Sequence, residues 1–419
     1  MIDTTTNTAY PIAMSTSNTK PSLWFLFKTF LAIGSVAFGG FMALISVIEN
    51  KIVKQQKLLE HKTMLDGIAL ANLLPGPQAV NVVAFVGYYL RGPLGALVSA
   101  VAVLLPSFVL ILVLSYIYLR FGQIPSFQKV FAGFIPAVAA IVLSVVWRMS
   151  KKTVSGPGDI VLVITAFLLM LVTPAEYKIY TTVTIVLLFG LIGYYLFQSQ
   201  QPTVVAAMDT PSFSKVKLIS VIFLLTALVI IWFLPLPLDH DSLLFLLLTM
   251  ASMSLMLFGG GYVFIPIMGS VLVLQHHWVS QQEFTDAIAM GQITPGPILI
   301  SMAFIGFKLH GFWGALLATF AIYTPPALLM VTASQALALI KRSTGIRAAM
   351  HGIHCGVIGM IAIAALVLLQ SAMPSGSVSI TTIWPAALIL TTALVALLRF
   401  DVDVIWIIPP AGLLGYLLY

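Results

Sequence analysis

Charge is scarce in this sequence. Only 8% of its 419 residues are Asp, Glu, Lys or Arg, against about 25% in an ordinary soluble domain. With a mean hydropathy of +1.07, that composition excludes a water-soluble surface. Cysteine is scarcer still. Cys355 stands alone, so neither an intramolecular disulfide nor a cysteine-based metal site is expected. No GxxxxGK[ST] run is present, so ATP does not drive this chain through a phosphate-binding loop of its own. Carboxylates and histidines are scattered rather than clustered, which argues against an intramembrane enzyme and leaves no expected cofactor or metal. The first 21 residues are polar, rich in Ser, Thr and Asn. They lack the basic start and apolar core of a signal peptide and are expected to form a disordered tail.

What is abundant is apolar length. Several windows reach the roughly 20 residues that a helix needs to cross a bilayer, and they do not alternate as barrel strands would. The expected fold is an all-α polytopic membrane protein. Segments fall at 22–48, 64–89, 93–119, 126–148, 157–174 and 178–197, then at 242–274, 284–309, 311–340, 347–371, 379–398 and 402–419. A polar linker and one unpaired apolar run, 216–236, lie between the two sets. This gives a tail (1–21), a first repeat (22–197), a linker with one extra transmembrane segment (198–240) and a second repeat (241–419). The net charge of +7 comes mainly from short clusters: Lys51, Lys54, Lys57 and Lys62; Arg148, Lys151 and Lys152; Lys341, Arg342 and Arg347. Topology and lipid headgroups explain these clusters, and no nucleic-acid partner is expected.

The two halves share motifs at a fixed spacing. Pro75-Gly76-Pro77 returns as Pro295-Gly296-Pro297, Phe38-Gly39-Gly40 as Phe258-Gly259-Gly260, and Asp66 as Asp286, all 220 residues on. Pro106 and Gly133 return as Pro325 and Gly352 at a spacing of 219. Shared hydrophobicity does not produce matched Gly, Pro and Asp, so an internal duplication is expected. If each repeat crosses the membrane six times, the extra segment inverts the second; if each Pro-Gly-Pro segment dips in and out, five crossings leave the repeats parallel. Lys and Arg counts on the sequence alone are nearly balanced, and inversion is preferred as a frequent transporter design.

Each Pro-Gly-Pro must stop a helix. Both prolines lack a donor, the residue before each is pushed out of helical geometry, and the glycine can take dihedrals closed to other residues. Pro77 and Pro297 can then start new helices, whose free N–H groups and dipole favour an anion. Asn72, Gln78 and Asn81 flank the first turn; Gln292, Thr294 and Ser301 flank the second. Two such ends meeting inside the membrane would cradle a small anion, with N–H groups at Gly76–Gln78 and Gly296–Ile298 as donors. The plainer reading is a hairpin turn that only packs. The paired glycines suit close helix packing or direct substrate contact. Asp66 and Asp286 are candidates for proton coupling or for capping the helix they precede. Lys129 and Lys308 are candidates for steering an anion, while Lys28, Arg91 and Arg148 suit snorkelling. His351 and His354 have a spacing that fits metal or pH sensing, but the first half has Ala132 and Ile135 at the matching places.

At these residues the chain resembles the chromate ion transporter family in its long, two-domain form: FGG at 38–40 and NLLPGPQAVN at 72–81, then FGGGYVFIP at 258–266 and QITPGP at 292–297. The resemblance spans both halves. It implies export of chromate, a tetrahedral dianion like sulfate, from the cytoplasm across a plasma membrane, driven by the membrane potential or a proton gradient; the two broken helices add the expectation of alternating access around a midplane site. It differs from the family pattern at Phe41, where Pro is usual, and at Gln78, where Glu is common. The alternative is a carrier of another small anion, or an uptake system for sulfate-like ions. A second copy of the chain is a candidate partner.

Overall fold

The structure, a computed structural model, describes residues 21–38, 40–122, 124–174, 177–198, 239–258, 264–334, 343–371 and 380–419. The tail, the run 216–236, and Gly39, Gly259 and Gly260 lie outside them. Every regular element among the described residues is helical. In the first half these are α1 (Leu23–Val36), α2 (Gly40–Ile48, running on as the π-helical Glu49–Gln55), α3 (His61–Leu73), α4 (Gln78–Phe121), α5 (Pro125–Thr153), α6 (Pro157–Val172) and α7 (Lys178–Phe197). The second half has α8 (Leu243–Ser254), α9 (Phe264–Met268, running on as the π-helical Gly269–Gln275), α10 (Gln281–Ile293), α11 (Ser301–Ser334, after a 3-10 turn Ile298–Ile300), α12 (Thr344–Ser371), α13 (Ile380–Arg399) and α14 (Ile408–Leu418). Among the described residues five helices are long and apolar enough to cross a membrane, and large apolar side chains such as Leu94, Leu187 and Trp313 point outward from them. This is a multi-pass membrane protein.

Short helices surround the motifs. α3 and α10 have 13 residues each, about 20 Å at 1.5 Å per residue, too little for a core of about 30 Å. α4 is broken at Arg91 and Gly92, and α11 at His310 and Gly311, with nearly the same dihedrals at both places. Past the first break the chain folds back so tightly that a β-carbon on Gly95 would strike the Gly87 carbonyl; Gly306 and Gly314 repeat this contact. Residues 61–73 and 78–90 therefore make one short hairpin, with Gly67 against the Phe85 ring. Residues 281–293 and 298–309 make another, closed at its mouth by Lys308 Nζ on Glu283 Oε2 at 2.6 Å. The motif-bearing segments at 22–48 and 242–274 also fold back. Phe245, near the start of α8, packs its ring against His276 at 5.2 Å and Trp278 at 5.9 Å, at the far end of the following helix.

The longer helices pack across the halves through small residues, the means by which helices associate where lipid removes the hydrophobic drive. Gly133 of α5 lies on Ala411 and Gly415 of α14, and Gly352 of α12 lies on Phe189 and Gly193 of α7. In each case a side chain would meet backbone, so any larger residue must push two helices apart.

Candidate functional site

The two Pro-Gly-Pro turns have one geometry. α3 stops at Leu73 and α4 starts at Gln78; α10 stops at Ile293 and the next turn starts at Ile298. Gly76 and Gly296 both have φ +101°, a region that L side chains avoid. Each glycine N–H crosses to the other half. Gly76 donates to the Leu257 carbonyl at 2.6 Å, and Gly296 to the Ala37 carbonyl at 2.7 Å. Ala37 and Leu257 immediately precede Phe38 and Phe258, where α1 and α8 have ended. Each turn is thus tied to the break before the opposite Phe-Gly-Gly.

This corrects the expected donor set. Gly76 and Gly296 spend their N–H groups on these carbonyls. The N–H groups without an intrahelical acceptor are those of the first helical turns, Gln78–Val80 and Ile298–Leu299, since Ile300 already donates to Pro297. Asn81 donates its amide to the Pro75 carbonyl at 3.1 Å, closing the turn. Thr294 donates back to Gly291 at 2.9 Å and so braces its own helix. Asn72 lies at the end of α3, half-buried, and its backbone is hydrogen-bonded by His354. Gln78 and Gln292 are buried, as are Pro77, Pro295 and Pro297, while Pro75 is half-buried. Phe38 and Phe258 are half-buried beside the breaks, and Gly40 opens α2.

Among the described residues, three buried oxygens around the turns have no hydrogen-bond partner: Asn81 Oδ1, Ser301 Oγ and Ser107 Oγ. Asn81 and Ser301 occupy matching positions, 220 apart, one turn into each new helix. Ser107 was missed by the sequence reading. It stands 2.7 Å from where a β-carbon on Gly296 would be, while Pro326, at the matching place in the other half, packs on Gly76. The signal was available, because Ser107 and Pro326 directly follow the paired Pro106 and Pro325. A buried hydroxyl left unpartnered costs about 1–3 kcal/mol, so two of them beside helix N-termini suit a ligand that accepts hydrogen bonds.

Asp66 and Asp286 are both buried, and neither caps its helix. Ser280 and Glu283 form the cap of α10, Ser280 accepting from Glu283 N at 3.1 Å and Glu283 from Ser280 N at 2.7 Å. Asp286 instead accepts from the Tyr118 hydroxyl at 2.7 Å across the halves, and its other oxygen has no partner among the described residues. Next to this pair, a cavity of about 240 Å³ is lined by Tyr118, Gln128, Ser280, Gln282 and Glu283. Burial opposes ionisation of Glu283, but the Lys308 ammonium and the Ser280 N–H and hydroxyl outweigh it and hold this carboxyl below its usual range. Lys308 is committed to that pair rather than free to steer an anion.

The chromate transporter family model matches residues 24–194 and again 244–416. The chain belongs to that family. It is 29% identical over 392 residues to a chromate transport protein of Cupriavidus metallidurans, covering 93% of this chain and 92% of that one. It is 30% identical over 343 residues to an uncharacterised transporter of Methanocaldococcus jannaschii, covering 82% and 83%. A half-length relative, an uncharacterised transporter of Bacillus subtilis, is 30% identical over 176 residues, 98% of its length but 41% of this chain. No solved structure matches. Membership makes this a membrane transport protein of a chromate-transporting family, with an oxyanion as substrate class.

Proposed function

We propose that this protein is a secondary-active exporter that moves chromate from the cytoplasm across the plasma membrane, binding the anion between its two Pro-Gly-Pro turns. The reciprocal hydrogen bonds from Gly76 to Leu257 and from Gly296 to Ala37 carry this reading. They join the four helix breaks into one buried locus, the place where broken helices of repeated transporters hold ligands. The free N–H groups of the first turns, the Ser107 and Ser301 hydroxyls and the Gln78 and Gln292 amides would hold the oxyanion. Gln78 is neutral and does not repel a dianion.

The repeats are read as inverted. α5 runs antiparallel to α14, since Lys129 lies by Gly415 and Gly133 by Ala411; α7 runs antiparallel to α12, since Gly193 lies by Ala348 and Phe189 by Gly352. With consecutive helices alternating inside each half, these pairings set 93–121 against 312–334 in opposite directions. The bonds from Tyr118 to Asp286 and from Arg148 to the Leu397 carbonyl fit the same arrangement. Each half then has two hairpins on one face and four crossings. Inversion needs one more crossing between the halves, which the run 216–236 is apolar enough to supply.

Charge supports one orientation. Among the described residues, Lys28, Lys51, Lys54, Lys57, Lys62, Arg91, Arg148, Lys151, Lys152, Arg347 and Arg399 fall toward one face, and Arg120, Lys129, Lys178 and Lys308 toward the other. The basic face is cytoplasmic by the positive-inside rule, which places residue 21 inside and residue 419 outside. Asp286, bonded to Tyr118 near the outer face, is the better candidate for a proton carrier that links transport to the gradient.

The test is uptake of labelled chromate into everted membrane vesicles, with excess sulfate as competitor and an uncoupler as control. Uptake above vesicles lacking the protein, abolished by the uncoupler, supports gradient-driven export. If none is seen with folded protein present, chromate is not the substrate.

A further inference from the structure

Away from the anion path, a chemically distinct cluster joins α6 to α12. Asp159, His351 and Cys355 offer a carboxylate oxygen, an imidazole nitrogen and a thiol sulfur, all within 4.8 Å of one another. His351 and Cys355 are four residues apart and share one face of α12. Asp159 is held from behind. One of its oxygens accepts from the backbone N–H of Ser155 at 2.8 Å and of Gly156 at 3.1 Å. The other meets His351 Nε2 at 2.8 Å. The Phe197 ring stands edge-on to His351 at 4.8 Å. Outer hydrogen bonds and ring contacts of this kind orient the ligands of metal centres.

A helix cap accounts for the backbone bonds of Asp159, an ion pair accounts for His351, and the Cys355 thiol hydrogen-bonds the Asp159 carboxylate. The only cysteine of the chain is fully buried at this point, within ligating reach of both. The His351 side chain remains 23% exposed, so the cluster opens on one side.

We propose that Asp159, His351 and Cys355 bind one zinc-class divalent cation, with a fourth position left to water. One thiolate, one imidazole and one carboxylate suit zinc, whereas magnesium and calcium demand oxygen ligands. A lone cysteine cannot build a thiol centre, but it completes a mixed one. Binding replaces the contact between Asp159 and His351 by bonds to the metal and releases the Cys355 proton to solvent. The ion fastens α6 of the first half to α12 of the second. His354, three residues on from His351, hydrogen-bonds the Asn72 backbone, so the braced helix also supports the end of α3 ahead of the first Pro-Gly-Pro. The site does not rest on the transport reading.

The experiment uses the full chain, purified in detergent without a histidine tag, stripped with chelator and dialysed against Zn²⁺ or, as a spectroscopic probe, Co²⁺. One retained equivalent of zinc is expected, with thiolate-to-cobalt absorption in the near ultraviolet. Cys355→Ser should remove that absorption, and His351→Gln should weaken binding about tenfold or more, with both variants eluting as the wild type does on size exclusion. Asp159→Asn keeps an acceptor for the two N–H groups and tests the carboxylate without removing the cap. A wild-type chain that gives no thiolate absorption, or absorption unchanged in Cys355→Ser or His351→Gln, overturns the proposal.

Discussion

Replacing each Pro-Gly-Pro glycine by alanine should give two unequal defects. Both glycines sit at φ +101°, and forcing an L residue into such a region costs about 1–3 kcal/mol. At position 296 the new methyl would crowd the Ser107 hydroxyl at 2.7 Å, which a change of rotamer relieves. At position 76 it would run into the ring of Pro326, which has no rotamer to change. Overpacking adds about 1–3 kcal/mol there, for about 2–6 kcal/mol in all. Since about 1.4 kcal/mol is a factor of ten, the extra ~1–3 kcal/mol should make Gly76→Ala disable the turn about fivefold or more beyond Gly296→Ala. Chromate uptake by everted vesicles, scaled to the protein present, reads the difference, and thermal denaturation in detergent separates a damaged turn from a misfolded chain. Pro326→Ala should partly rescue Gly76→Ala and leave Gly296→Ala unimproved. Equal defects, or wild-type uptake by Gly76→Ala, would refute the geometry on which the site is built.

Further outcomes follow from particular contacts. Tyr118→Phe and Asp286→Asn should each reduce the dependence of uptake on the proton gradient, measured as uncoupler sensitivity, while leaving chromate binding within about threefold of wild type; unchanged sensitivity in both removes Asp286 as a carrier. Glu283 is depressed in the folded chain, so its pair with Lys308 stabilises above the ordinary carboxylate range and is lost as pH falls through the lowered value. The melting temperature should therefore fall further between neutral and acid pH in wild type than in a Glu283→Gln, Lys308→Met double variant, and parallel profiles would count against the pair. In a Cys355→Ser background, a cysteine at Lys57 should react with an impermeant maleimide only from the cytoplasmic side and one at Gln282 only from the outside; labelling from the same side contradicts the inverted arrangement.

Much of this architecture is legible without coordinates, because helix breaks are written in residues with few alternatives. A proline without a donor and a glycine at positive φ leave the chain one option, so helix ends at Leu73 and Ile293 follow from the motif itself. Membrane character follows as directly from the low charge. What composition cannot reach is pairing across distance. The bond from Gly76 to Leu257 joins residues in different halves, and nothing local to either predicts it. The same holds for Tyr118 and Asp286, and for Lys308, whose partner Glu283 lies one hairpin arm away. The expected role of glycine N–H groups as anion donors failed for this reason, since a carbonyl from the other half takes them first. Ser107 was within reach, one residue beyond a paired proline, but a serine in an apolar run carries no signal until its neighbour is known. The proposed charge asymmetry was out of reach because the number of crossings decides which loops are summed, and the sequence alone leaves that number open between five and six per repeat.

The most direct test of the central claim is equilibrium binding of radiolabelled chromate to the purified wild-type chain and to Gln78→Ala and Ser301→Ala. The account predicts saturable binding to the wild type, displaced by excess sulfate and weakened at least tenfold in each variant, because one polar group from each turn is removed. Wild-type affinity in both variants would place the anion elsewhere and contradict the account.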